Sequence, residues 1–181
     1  MVANSVKATF VLFLTFVAPI CAAIEDEHGQ TQIVSYLTDN LMSSLDRMGR
    51  AIEACDQIAE TRSAPILDKG RLTEFNASRE NLLTALAHLS FANHFDCTRQ
   101  ARLSMAYDLG TLVAVQKEFG TAARDWAEVH QEVGYPSART IHYAVMYKEL
   151  PVDLRAYVEE IVGQEPFALI DALKANNIFI D

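Results

Sequence analysis

The spacing of apolar residues predicts a chain built from helices. Between residues 31 and 62, apolar positions recur at steps of three and four, which places them on one face of a long helix. Pro65 ends that helix because it disfavours helical backbone at the residue before it. No alternation typical of strands is found along the chain. The positions on the apolar face are Ile33, Leu37, Leu41, Leu45, Met48, Ile52, Cys55 and Ala59.

Cap and turn residues divide the rest of the chain into shorter helical segments. Asp and Ser side chains can accept a hydrogen bond from the first turn of a helix, and proline is well placed at a helix start. We therefore predict an all-α fold, an antiparallel bundle of five to six helices joined by short turns. The later helices are predicted at about 71–93, 97–133 (with a break near Gly120), 138–150, 151–163 and 166–176, and their starts are marked by Asp68, Asp96, Ser137, Pro151 and Pro166.

The N-terminus has the layout of a secretory signal peptide. Lys7 precedes an apolar run over residues 8–20, and Cys21-Ala22-Ala23 supplies the small residues of a cleavage site. A retained membrane anchor is the alternative, but the apolar run is short for a spanning helix. We predict a signal peptide over residues 1–23 and a single helical domain over residues 24–181, exported to the periplasm or secreted, without membrane attachment after cleavage.

Charge and cysteine content narrow the function classes. The formal net charge is −9, which argues against nucleic-acid binding because that function needs a basic surface. Cys55 and Cys97 are the cysteines beyond the signal peptide, and in an exported chain such a pair suggests one disulfide. Two unpaired thiols on separate helices are the alternative. Asn76-Ala77-Ser78 is formally a glycosylation sequon, but it lies within a predicted helix and matters only if the source is eukaryotic.

The sequence offers few candidates for catalysis. The five histidines are scattered, so no metal site is predicted. No Ser-His-Asp set and no glycine-rich phosphate loop can be recognised, and no cofactor is expected. The unusual feature is a group of arginines in an acidic chain: Arg47, Arg50, Arg62 and Arg71. Arginine binds carboxylates through a planar fork, so these residues could hold a small dicarboxylate; alternatively, they pair with nearby acids on a solvated helix face.

A short segment gives the arginines a more specific interpretation. Residues 65–71 read Pro-Ile-Leu-Asp-Lys-Gly-Arg, which resembles the Pro-Ile-x-Asp-x-x-Arg segment of the secreted, all-helical chorismate mutases. The end of the preceding helix is similar to the same family, except that Arg62 stands where the family has a lysine. Gln116 followed by Trp126 resembles the family's third helix, and Arg139 is similar to a late arginine of the family.

The resemblance implies a mutase-like helical topology and the rearrangement of chorismate to prephenate without a cofactor. Such a site holds a compact substrate conformer and stabilises charge on the ether oxygen. The implied catalytic residues are Arg62, Gln116 and Asp68, and the implied substrate-binding residues are Arg47 or Arg50, Arg71 and Arg139. A homodimer is compatible with the resemblance. The alternative function is a non-enzymatic exported module that binds another protein, such as an inhibitor, an immunity factor or an envelope assembly factor.

Overall fold

The computed structural model describes residues 27–121 and 137–178. Regular structure in these residues is helical throughout, with no strand, which confirms the all-α class. The helices of the described residues are α1 (Glu27–Thr61), α2 (Lys69–Glu74), α3 (Arg79–Glu118), α4 (Ala138–Lys148), α5 (Val152–Val162) and α6 (Leu169–Ala175). Residues 1–26, which include the predicted signal peptide, lie outside the described residues. Residues 122–136, which include Trp126 and the end of the helix predicted up to residue 133, lie outside them as well.

The face of α1 that the sequence predicts to be apolar is the face that is buried or half-buried. Leu41, Met48 and Cys55 are buried, and the other predicted positions on that face are half-buried. The helix ends at Thr61, before Pro65, as expected from the restriction that proline places on its neighbour.

The middle of the chain differs from the prediction. A helix over 71–93 was expected, but α2 ends at Glu74 and a turn follows in which Asn76 has a φ of 48°. The sequon therefore lies in a turn and not in a helix. The helix that begins at Arg79 then continues for 40 residues, so Asp96 lies in its interior and is not an N-cap. No proline or glycine stands between Gly70 and Gly110, and this explains why the helix is not interrupted at Asp96.

The later boundaries agree better with the sequence. Gly120, with a φ of 64°, follows the end of α3. Ser137 caps α4 by accepting a hydrogen bond from the backbone N–H of Thr140. Pro151 precedes α5, and Gly163, with a φ of 65°, ends it.

The chain divides into two compact units. Among the described residues, the first unit contains residues 27–43 of α1 and residues 107–121. Its buried residues include Leu41, Leu109, Leu112 and Gln116.

The second unit contains residues 44–106 and 137–178 and holds the larger core. Apolar side chains from α3, α5 and α6 form most of it, together with residues that flank these helices. Burial of this apolar surface is the main stabilising contribution. The buried members are Leu67, Leu82, Ala85, Leu86, Leu89, Tyr147, Leu150, Leu154, Tyr157, Val158, Val162, Phe167, Ala172, Leu173 and Ile178.

A disulfide joins α1 to α3 within the second unit. It links Cys55 to Cys97, whose Cα atoms are 6.1 Å apart. This confirms the predicted pairing over the alternative of two free thiols. Among the described residues, no helix is long and apolar enough to span a membrane.

Candidate ligand-binding site

The second unit has a cleft between α3 and α4. Its volume is about 580 Å³, within the range typical of small-molecule pockets. We call it the α3–α4 cleft. It is lined by His88, Phe91, Ala92, His94, Phe95, Asp96, Arg102, Ser137, Thr140, Ile141, Ala144, Val145 and Lys148.

The two walls of the cleft follow helical periodicity. On α3, residues 88, 91, 92 and 95 follow the i, i+3, i+4, i+7 spacing of one helical face. From the cap residue Ser137 through α4, residues 137, 140, 141, 144, 145 and 148 continue the same spacing. Ile141 and Val145 remain 52% and 55% exposed. Large apolar side chains thus face an open space that the described residues leave unfilled.

Two permanent cations border this apolar surface, Arg102 and Lys148. The guanidinium of Arg102 lies 5.3 Å from the centroid of the Phe95 ring, and its Nε donates to Thr98 Oγ1 at 2.8 Å. Burial lowers the pKa of Arg102, because partial removal from water disfavours its charge. Asp96 is the carboxylate of the lining, and it pairs with Arg99 outside the cleft.

His88 connects the cleft to a buried polar group. Its ring stacks on Tyr147 with centroids 4.3 Å apart, and the Tyr147 hydroxyl donates to Glu159 Oε1 at 2.6 Å. Burial lowers the pKa of His88, with a smaller opposing effect from Glu159. Burial and the bond to Glu159 raise the pKa of Tyr147. A neutral imidazole at neutral pH therefore forms part of the wall.

His94 is held by a carboxylate on α1. Its Nε2 lies 2.9 Å from Asp56 Oδ1 on α1, and since a carboxylate accepts hydrogen bonds, Nε2 is the donor. The hydroxyls of Ser137 and Thr140 lie 3.0 Å apart and bond to each other. Ser137 is also engaged as the cap of α4. His94, Ser137 and Thr140 are therefore each held by a hydrogen bond at the wall of the cleft.

Arg62, which the resemblance places at the family's lysine, bonds to backbone carbonyls. Arg62 donates through both terminal nitrogens to the backbone carbonyls of Val162 and Glu165. Its Nε also lies 4.0 Å from the Glu165 carboxylate. Asn93 Nδ2 donates to the carbonyls of Gly163 and Glu165. Arg62 and Asn93 together hold the turn that follows α5.

Asp68 and Arg71 form a second local arrangement. Asp68 caps α2 by accepting from the Arg71 backbone N–H at 2.9 Å, as the sequence predicted. The Asp68 backbone N–H donates to the Tyr157 hydroxyl at 2.7 Å. The Arg71 guanidinium lies 5.5 Å from the Phe75 ring centroid and 5.7 Å from that of Tyr157, and it pairs with Glu74 at 3.7 Å.

The remaining arginines have different surroundings. Arg50 pairs with Asp46, as the local-pairing interpretation expected. Arg47 donates to Ser44 Oγ at 2.6 Å and contacts Ser104 Oγ at 3.5 Å. Arg139 is exposed near the start of α4. None of the five predicted arginines lines the α3–α4 cleft.

Gln116 belongs to the first unit, whereas the other residues of the predicted mutase site belong to the second. It is buried, and its Oε1 has no hydrogen-bond partner among the described residues. Among residues 27–121 and 137–178, no three His, Cys, Asp or Glu side chains are arranged to hold a metal ion.

The sequence analysis missed the residues of the cleft. The spacing of Phe91 and Phe95 with His88 was a visible signal, as was the spacing of Ile141 and Val145 on α4. A scan against protein-family models found no match, and searches of curated proteins and of solved structures found none either. The assignment of function therefore depends on the geometry of this chain alone.

Proposed function

We propose that this protein is an exported, non-enzymatic helical binding protein that holds a small amphipathic carboxylate in the α3–α4 cleft. The observation that carries the proposal is an apolar cleft of about 580 Å³ bordered by Arg102 and Lys148. The apolar part of the ligand would cover Phe91, Ile141 and Val145. Burial of these side chains would supply most of the affinity, by roughly 25 cal/mol per Å² of apolar surface before the costs of association.

Charge favours an anionic ligand over a neutral one. The chain carries a formal net charge of −9, yet the lining of the cleft has two permanent cations and one carboxylate. Arg102 is the more buried of the two basic residues, and its guanidinium lies beside the Phe95 ring. Lys148, at the end of α4, would attract the ligand at the exposed edge.

The size of the cleft suits a small molecule. Its volume of about 580 Å³ falls within the range of about 300–1,000 Å³ for ligand pockets. Export is supported by the Cys55–Cys97 disulfide, since such bonds persist in oxidising compartments.

Calorimetric titration with decanoate tests the proposal. We expect saturable one-to-one binding, and weaker binding of decanol, which has the same apolar chain without the charge. Lys148→Gln should weaken decanoate binding about two- to fivefold, as expected for an exposed charge pair. Lys174→Gln is the matched control, because Lys174 is an exposed lysine in the last turn of α6 outside the cleft. Failure of decanoate to bind, or equal effects of the two variants, would contradict the proposal.

Chorismate rearrangement stays a second proposal, supported by the local geometry of the segment that resembles the family. Asp68 caps α2, and this places Arg71 beside Phe75 and Tyr157. Loss of chorismate absorbance on incubation with the purified protein, abolished in Arg71→Ala, would support it. No turnover by the unmodified protein would remove it and leave the binding proposal untouched. The predicted protein partner and homodimer stay predictions as well.

A further inference from the structure

We propose that Asn76 is an acceptor site for an N-linked glycan. Asn76, Ala77 and Ser78 match the acceptor pattern Asn-x-Ser with a residue other than proline in the middle. The sequence predicts a helix at this position, and the pattern matters only in a eukaryotic source. The structure instead places it in the turn between α2 and α3.

The geometry of the turn exposes the acceptor. Asn76 is exposed and has a φ of 48°, in the left-handed region that Asn tolerates better than most residues. Its backbone N–H donates to Thr73 O at 3.0 Å, and the N–H of Ala77 donates to Leu72 O at the same distance. The Asn76 carboxamide makes no hydrogen bond to any other described residue. The turn is therefore fixed by its backbone, and the side chain is not needed to hold it.

There is also room for a sugar beside this side chain. Asn76 borders a shallow depression of about 360 Å³ that Leu72, Thr73, Ala77 and Leu82 also line. Ser78 is exposed, and its Oγ accepts from the backbone N–H of Asn81 in the first turn of α3. The modification would place polar carbohydrate over the partly buried side chains of Leu72 and Ala77.

The chemistry requires an oligosaccharide activated as a lipid diphosphate, which the export pathway of a eukaryotic cell supplies. Asn76 Nδ2 forms a bond to the anomeric carbon of the first sugar. The bond between that carbon and the diphosphate oxygen breaks, and the lipid diphosphate leaves with the electron pair. A base of the transferase takes the amide proton. This proposal rests on the proposed export of the chain, but not on the α3–α4 cleft, whose residues it does not use.

Secretion of the full chain from a eukaryotic cell line, followed by intact-mass analysis, tests the site. We expect a single glycan that peptide N-glycosidase removes, leaving Asp in place of Asn76. An unmodified protein in the medium would overturn the proposal. Retention of the chain in the cytosol would overturn it too, because the sequon would then never meet the transferase.

Three variants separate glycan attachment from effects on folding. Asn76→Gly removes the acceptor and keeps the left-handed turn, so it should be secreted without a glycan. Ser78→Thr keeps both the acceptor pattern and a capping hydroxyl, so it should retain the glycan. Ser78→Ala should lose it. A glycan persisting on Asn76→Gly would contradict the assignment. Asn177, exposed with a φ of 55° but followed by no Ser or Thr at the second position, is an internal negative control.

Discussion

The imidazole of His88 stacks on the phenol ring of Tyr147, with centroids 4.3 Å apart and planes inclined by 28°. His88 is the member of this pair that lines the α3–α4 cleft. On the other side, Tyr147 donates a hydrogen bond to Glu159. The pair therefore couples the protonation of a cleft residue to the packing of α4 and α5.

This coupling predicts a pH dependence of stability. Burial lowers the pKa of His88 below 6.5, while Glu159 opposes and Lys148 reinforces the shift. The unfolded chain therefore holds the His88 proton more tightly than the folded chain. The His88 contribution to stability is complete above pH 6.5 and is lost as the pH falls from 6.5 through the lowered folded-state pKa.

The variant His88→Phe should remove this part of the pH dependence, because it keeps an aromatic stack on Tyr147 and cannot titrate. Thermal unfolding at about pH 7.5 and about pH 5.5, on either side of the ordinary histidine pKa, is the measurement. We expect the unmodified protein to lose more stability on acidification than the variant. Equal losses in the two proteins would show that His88 does not contribute.

A charge placed on the apolar wall should weaken ligand binding. Val145 is 55% exposed and lines the cleft, so Val145→Asp would put a carboxylate against an anionic, apolar ligand. We expect decanoate affinity to fall at least about tenfold, a loss of about 1.4 kcal/mol. Val152→Asp is the matched control, because Val152 is 68% exposed at the first position of α5, where an acid is favourable. Unchanged binding by Val145→Asp would be inconsistent with the proposed site.

Arg62 should contribute to stability. Its two terminal nitrogens bond to the carbonyls of Val162 and Glu165, and the side chain is only 22% exposed. Hydrogen bonds to charged groups contribute about 1.5–3 kcal/mol, so Arg62→Ala should lower the free energy of unfolding by about 2–3 kcal/mol. Arg50→Ala removes an exposed helix pair with Asp46 and should cost about 0.5 kcal/mol or less. Urea denaturation of both variants would reveal any failure of this ordering.

The disulfide should stabilise the second unit against unfolding. It joins positions 42 residues apart, and loss of a cross-link of that span costs about 3–4 kcal/mol in the chain-entropy account. We expect the double variant Cys55→Ser, Cys97→Ser to unfold at a correspondingly lower urea concentration. Maleimide labelling of unfolded, unreduced protein provides the chemical check. Labelling of Cys55 and Cys97 before reduction would rule out the bond.

Local signals made much of the fold predictable, because they act within a few residues. The apolar face of α1, the cap at Ser137 and the stop at Gly163 are of this kind. The continuous α3 was harder to foresee, since Asp96 is a good cap by type but pairs with Arg99 one turn later in the same helix. The residue type alone could not distinguish these two uses.

The site was less predictable than the fold because its parts are far apart in sequence. Arg62 stood out as a cation in an acidic chain, yet its partners are backbone carbonyls about a hundred residues away. The face formed by His88, Phe91 and Phe95 has the spacing of a core face. It becomes a cleft only through the placement of α4 beside it. Such placement depends on tertiary packing, which a residue pattern does not specify.

The most direct test of the account is a methyl NMR titration of the full protein with decanoate. The account predicts saturable shifts of the Ile141, Ala144 and Val145 methyl groups, which line the cleft, with Val152 and Ile170 unaffected as exposed residues outside it. Shifts centred on Val152 or Ile170, or no saturable shifts at all, would contradict the claim that the α3–α4 cleft is the binding site.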